Sequence, residues 1–218
     1  MSDILPASER TRVVREPIRA VYDRTAIYNI LDEAFTCHIG FTGADAQPYV
    51  IPTMFARIGD FIYFHGSAAS RTLRGLSAGL PVCITVTLSD GLVLARSVFN
   101  HSMNYRSVIA LGTATVIDEP VEKLAALLAF TEKLIPGRWN DARQPNEKEL
   151  KATSILKLPL TEISAKVRTG EVEDDLDDYN FGVWAGVIPL RLAAEAPVRD
   201  ARCDASIPTP EYVLNFRR

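Results

Sequence analysis

The sequence predicts a mainly β protein with flanking helices, in which an antiparallel meander closes into a small barrel. Three observations carry this. Short runs rich in β-branched and aromatic residues follow one another from Thr36 to Phe99, as strands do. Gly43-Ala44-Asp45, Gly59-Asp60 and Ser89-Asp90-Gly91 punctuate those runs as turns. A chain of 218 residues, 47% hydrophobic, supplies one sizeable core without needing a second domain.

Local signals then give the elements in order. Residues 1–20 are polar and charged, with Pro6 and Pro17, and form an arm that is ordered only if something holds it. The folded domain spans 21–192. Asp23 caps a helix running to Ala34, with Ile27, Ile30, Leu31 and Ala34 on one face. Strands are expected at 36–42, 48–58, 61–65, 81–88 and 92–99, followed by one long strand from Ser102 to Asp118. Between them, Ser70 caps a short helix to Ala78. Glu119 to Ile135 turns helical and presents Leu124, Leu127, Leu128, Thr131 and Ile135 to the sheet. A loop and short helix fill 136–152, and a further strand covers Ser154 to Val167. The stretch EVEDDLDDYN has six carboxylates in ten residues but lacks the central Gly and closing Glu of a calcium loop, so it reads as a solvated loop. FGVWAGVIPLRL is the last apolar run. Residues 193–218, with Pro197, Pro208 and Pro210, form an irregular tail.

Composition excludes several classes. The net charge is −3 and no Lys/Arg block stands out, which argues against nucleic-acid and membrane-surface binding and for a small-molecule partner. Cys37, Cys83 and Cys203 are odd in number and lack metal-ligand spacing, as free thiols of a reducing compartment do. The start has no apolar core of a leader, and no run of about 18 apolar residues occurs, so a cytoplasmic, soluble protein is expected. No dinucleotide fingerprint, phosphate loop, nucleophile elbow or zinc-helix motif is present. His38, His65 and His101 do not fall at helical metal spacing, and no metal is expected.

One stretch points to a ligand. In YFHGSAASRTLRGL a strand ends, a loop of small residues follows, and a helix begins at Ser70. Such a turn offers free N–H groups and the positive end of the helix dipole. Ser67, Ser70, Arg71 and Arg74 surround it, which suits a phosphate.

These residues carry a resemblance. QPYVIPTMFA, FIYFHGSAASRTLRGL and PVCITVTL, supported by HSMNYRSVIALGTA and VWAGVIPL, resemble the FMN-binding split-barrel proteins of the pyridoxamine 5′-phosphate oxidase-like superfamily. The likeness covers about residues 23 to 192 and is strongest to the flavin-nucleotide-binding and 5-nitroimidazole-resistance branch. It implies an antiparallel split β-barrel that binds FMN at the interface of a homodimer. Ser70 and Arg71 would hold the flavin phosphate, with Ser67 and Arg74 assisting. Val50, Ile51, Pro52 and Thr53 would run beside the isoalloxazine. Pro52, which donates nothing to a ladder, suits an edge that a ligand can approach. His65 and Gly66 would line the ribityl chain and ring, with His65 the catalytic or substrate-contacting candidate. Asn104, Tyr105, Arg106 and Ser107 match a segment that contacts flavin, and Lys166 and Arg168 a basic pocket rim. Trp184 resembles an aromatic residue supplied across the interface, with Arg191 after it. A buried core Trp fits the same apolar run.

The resemblance implies an oxidoreductase passing electrons between a reduced nicotinamide or similar donor and a small organic acceptor. The flavin performs that chemistry, so no protein acid or base is required. Two alternatives stay open: a flavin carrier or sensor without turnover, and a haem-binding split barrel with His38, His65 or His101 as ligand. The flavin is expected to be FMN rather than a deazaflavin, because of Ser70-Arg71, or FAD, because no dinucleotide fold is present.

Overall fold

The computed structural model describes residues 3–217, the Arg71 side chain excepted. The arm is held. Leu5 and Thr11 are buried, Ile4 bridges Asp23, and the Val13 N–H donates to the Tyr22 hydroxyl at 2.9 Å. Arg10 pairs with Glu162. A 3-10 turn over Pro17–Arg19 leads into β1 (Ala20–Val21). In α1 (Arg24–Glu33) the Asp23 carboxylate accepts from the Ala26 N–H at 2.8 Å, as the sequence predicts, and Ile27, Ile30 and Leu31 are buried.

β2 (Thr36–Thr42) and β3 (Pro48–Ile58) form a hairpin, and β4 (Phe61–Ser67) runs past His65 before α2 (Arg71–Ser77). β5 (Pro81–Leu94) is one strand where two are expected. Ser89-Asp90-Gly91 is a bulge and not a turn, because the register against β6 (Ser102–Thr113) shifts between Ser89 and Gly91 while both flanks stay paired. Conversely, the long strand from Ser102 is broken at Ala114, and β7 (Thr115–Val116) follows.

In α3 (Pro120–Leu134) the inward face differs from the leucine stripe expected. Of that stripe Leu127 packs against the core, beside the buried Ala126 and Phe130, while Leu124 and Leu128 are exposed. Polar anchors set that rotation. Glu122 accepts from the Tyr63 hydroxyl at 3.0 Å and from Lys157 at 2.7 Å, and Lys123 reaches the carbonyls of Leu150 and Thr153.

Two short helices follow, α4 (Arg138–Asp141) and α5 (Glu147–Ala152). The expected strand from Ser154 is a hairpin, β8 (Thr153–Pro159) and β9 (Glu162–Arg168). The acidic stretch is not wholly solvated. The Asp174 carboxylate is buried and accepts from the N–H groups of Arg96 and Ser97 and from the Arg96 guanidinium at 3.1 Å. Of the last apolar run only β10 (Gly186–Pro189) forms a strand, paired with β5. The tail returns as α6 (Glu211–Leu214), where the Tyr212 hydroxyl donates to Asp141 at 2.7 Å.

The 10-stranded sheet runs β1-β9-β6-β5-β2-β3-β4-β8-β7, with β10 on β5. The chain leaves β6 for β7 within a residue, and β7 pairs with β8, so this continuation closes the barrel. At that seam a Cβ on Gly112 would stand 3.0 Å from the Leu158 side chain, a contact to which Leu158 would have to yield. The barrel interior holds Phe55, Phe64, Leu156 and Leu158, each fully buried and worth about 1.5–3 kcal/mol. A second layer lies between the sheet and α3, around Tyr63, Ile117, Phe130 and Ile155. Cys37 is buried in the first core, where desolvation pushes its thiol up to about 12 and keeps it inert. No described helix is long and apolar enough to cross a membrane.

Candidate functional site

The ladder between β3 and β4 runs only from Ile58↔Phe61 to Phe55↔Phe64. Beyond it the strands part. Pro48 to Met54 pair with β2 alone, and His65 to Ser67 pair with β8 alone. One edge of β3 over Val50, Ile51, Pro52 and Thr53 is therefore free of any described strand, and Val50 is 66% exposed. An extended segment with an unpaired edge can bond a ligand through its main chain.

The chain turns from β4 into α2 facing that opening. Ser67 Oγ accepts from the Ala69 N–H at 3.2 Å, and Ser70 Oγ caps α2 by accepting from Leu73. Both serines thus shape the turn. The Thr72 N–H makes no hydrogen bond among the described residues, and Arg74 is exposed. The Arg71 side chain lies outside the described residues. Gly66 packs closely against α2, since a Cβ there would stand 2.9 Å from Leu73 Cδ1 and that side chain would have to shift. A cavity of about 380 Å³ separates the β2–β3 hairpin from α2, lined by Phe41, Tyr49, Ile51, Thr72, Gly75 and Leu80.

His65 lies on the opposite face of β4 from Gly66, beside α3. Its ring tilts against Phe130 with centroids 4.4 Å apart. Nδ1 is buried without a partner, and no hydrogen bond to either ring nitrogen occurs among the described residues. Burial lowers the His65 pKa, so the imidazole is held neutral. The adjacent Tyr63 hydroxyl is pushed up to about 12 by burial and by Glu122. His38 is exposed on β2, and His101 Nδ1 accepts from the Ala95 N–H at 3.2 Å.

The remaining expected residues lie elsewhere on one copy of the chain. β6 is separated from β3 by β5 and β2. There Arg106 is clamped by Asp90 at 2.8 Å and by Glu33, and these bonds raise its pKa further. Ser107 Oγ donates to the Lys166 carbonyl at 3.2 Å. Asn104 donates to the Gly170 carbonyl at 2.9 Å and accepts from Arg168 at 2.5 Å. Trp184 is 67% exposed, so it is not the core residue its apolar run also allows. The structure brings Val50–Thr53, Gly66, Ser67 and Ser70 to one opening, and Arg74 is exposed on α2 beyond it. It does not bring Asn104, Arg106, Ser107, Lys166 or Trp184 there within a single copy.

A second concavity, of about 550 Å³, lies where the arm crosses the ends of β6 and β9. Arg15, Arg19, His101, Lys166 and Arg168 reach it. The arm's part is not visible in the sequence. The spacing of arginines in RTRVVREPIR was the available signal, but only the pairing of β1 with β9 shows where they go.

Comparison with known proteins agrees with this architecture. The family model described as pyridoxamine 5′-phosphate oxidase matches residues 23–167. No curated protein matches the chain. Among solved structures, the flavocytochrome Anf3 from Azotobacter vinelandii is 42% identical with a TM-score of 0.91, over 97% of this chain and 99% of its own. The FAD and heme binding protein from Mycobacterium smegmatis is 34% identical with a TM-score of 0.86, over 91% and 98%. A candidate 5-nitroimidazole antibiotic resistance protein from Bacteroides thetaiotaomicron is 25% identical with a TM-score of 0.58, over 68% and 86%. With its barrel, its parted β3–β4 ladder and this match, the chain belongs to the pyridoxamine 5′-phosphate oxidase-like split-barrel family.

Proposed function

We propose that this protein is a flavin- and haem-binding redox protein, with the flavin held between two copies of the chain. The full-length likeness to a flavocytochrome and to an FAD- and haem-binding protein carries this reading. The residues present fit both groups. For the flavin, the free edge of Val50–Thr53 suits the pyrimidine rim, and the α2 start with Ser70, Arg71 and the unbonded Thr72 N–H suits the phosphate. Trp184 of one copy, being exposed, would serve the opening of the other, while Asn104, Ser107 and Lys166 are engaged by hydrogen bonds within their own copy. Arg106, neutralised by two carboxylates, serves as the rim that holds β6 against α1.

For the haem, an axial ligand and an apolar wall are needed. His101 is unsuited, because an Nδ1 that accepts a backbone N–H leaves the neutral ring's proton on Nε2. His65 fits: it is held neutral, has no hydrogen-bond partner among the described residues and stands against Phe130. When bound, haem would supply one-electron chemistry and flavin two-electron exchange with a reduced nicotinamide or similar donor.

The flavin proposed is FAD, following the relative that binds it. FMN remains the second reading, because Ser70-Arg71 forms a receptor for one phosphate. The absorbance spectrum of the purified protein tests the whole: flavin and haem bands are expected together. Flavin bands alone would remove haem, and neither would remove the reading. Chromatography of the released flavin separates FAD from FMN. Sedimentation with and without flavin tests the homodimer, which ligand should stabilise by mass action.

A further inference from the structure

The cleft at the arm gathers four cationic side chains. Arg15, Arg19, Lys166 and Arg168 line it, against the carboxylates of Glu16 and Glu173 only. Arg168 decides the matter. It is 6% exposed, yet its partners are neutral oxygens: Asn104 Oδ1 at 2.5 Å and the Glu171 carbonyl at 3.4 Å. No carboxylate pairs with it among the described residues. A guanidinium taken out of water without a counter-charge is strongly unfavourable unless an anion completes it.

The rest of the cleft agrees. Lys166 donates to the Arg15 carbonyl at 2.9 Å, which fixes the arm over the strand ends. Glu16 has φ 55 and ψ 61, a left-handed turn that bends the arm between Arg15 and Arg19. The Arg19–Glu16 pair is long, at 3.7 Å, and partly exposed, so it neutralises little. Two aromatic rings flank the cations, Phe99 at 92% exposure and half-buried Tyr105. Such rings stack bases.

We propose that this cleft binds a nucleoside diphosphate moiety, its phosphates on Arg15, Lys166 and Arg168 and its base against Phe99 or Tyr105. Two sources share that chemistry, the ADP half of a bound FAD and a dissociable nicotinamide dinucleotide donor. For the ADP half of FAD the proposal rests on the flavin reading; for a dissociable donor it goes beyond that reading, because ADP binding is then measurable on protein that carries neither cofactor.

The test is calorimetric titration of the purified full chain with ADP and with adenosine, for wild type, Arg15→Glu and Lys166→Ala. Arg15 is exposed, so its variant should fold. A dissociable donor site predicts that ADP binds, that adenosine does not, and that each variant weakens ADP at least about tenfold, the usual share of a charge-assisted bond. A cofactor site predicts that wild type retains FAD and excludes ADP. Both variants would then lose FAD, and Arg15→Glu would still take up FMN as tightly as wild type. If ADP does not bind and FAD retention is unchanged in both variants, the proposal is overturned. A shift of the variants from dimer to monomer with nucleotide binding unaffected would also overturn it, since the cleft would then receive carboxylates of a second copy.

Discussion

Replacing His65 by Phe separates what this residue costs the fold from what it does for a ligand. The imidazole rests on Phe130 at 4.4 Å with Nδ1 buried and unpaired. An unsatisfied buried polar atom costs about 1–3 kcal/mol, and Phe removes it while keeping the ring contact. The position is half-buried, so the far end of the larger ring has space. Cofactor-free H65F should therefore be as stable as wild type or more stable by about 1 kcal/mol, which raises Tm by about 2–4 °C for a chain of this size. Its haem content should fall to near zero. The pH dependence has a definite sign. The folded His65 pKa lies below the usual 6.5, so the unfolded chain binds the proton more readily. Wild type should lose stability as pH falls through 6.5 toward the folded value, by at most about 1.4 kcal/mol per pH unit, and should be flat above it. H65F lacks this slope. Urea unfolding of both proteins at about pH 8 and about pH 5.5, with haem stoichiometry measured alongside, decides. A variant that loses more than about 1 kcal/mol while keeping full haem would refute the assignment.

Other substitutions probe the opening and its supports. Gly66→Ala places a Cβ 2.9 Å from the flexible end of Leu73, so α2 should shift at a cost of about 1 kcal/mol, and flavin retention should fall more than stability; equal stability and retention would show the packing argument wrong. Trp184→Ala, at an exposed residue, should leave the monomer's melting unchanged but weaken dimerisation and flavin binding in sedimentation and titration. Arg71→Ala should weaken binding of a phosphorylated flavin by about 1.5–3 kcal/mol and leave riboflavin unaffected, as read by fluorescence quenching. Asp174 is buried, yet the N–H groups of Arg96 and Ser97 and the Arg96 guanidinium hold its pKa below the usual 3.8. The contribution of Asp174 should be present above that value and vanish as pH falls through the folded one. Asp174→Asn should expose the Arg96 loop to trypsin already at neutral pH.

The sequence was most legible where one local signal sufficed. Asp23 and Ser70 cap the helices they were expected to cap, and the β2–β3 hairpin has its expected residues. It misled where pairing overrides local chemistry. Ser89-Asp90-Gly91 carries every mark of a turn, but neighbours on both flanks hold the strand straight and the surplus residue becomes a bulge whose carboxylate grips Arg106. The leucine stripe of α3 was the better periodic pattern, yet Glu122, tied to Tyr63 and Lys157, sets the rotation. At the candidate site, the residues around α2 were readable because they are contiguous. The cationic cleft was not, since Arg15 and Arg168 are joined only by the folding of an arm that has no hydrophobic periodicity.

The acidic stretch that follows β9 carries charge enough to quench the cleft beside it, and the structure shows why it does not. Asp174 is committed to Arg96 and to the loop N–H groups behind it. Glu171 faces Arg168 with its main-chain carbonyl and not with its carboxylate. Glu173 alone of the segment's carboxylates reaches the cleft. A segment with six negative charges in ten residues thus leaves a neighbouring arginine without a carboxylate partner among the described residues. The net charge of −3 conceals this separation. A buried cation maintained beside so many unused carboxylates is the arrangement expected where the counter-charge arrives with a ligand.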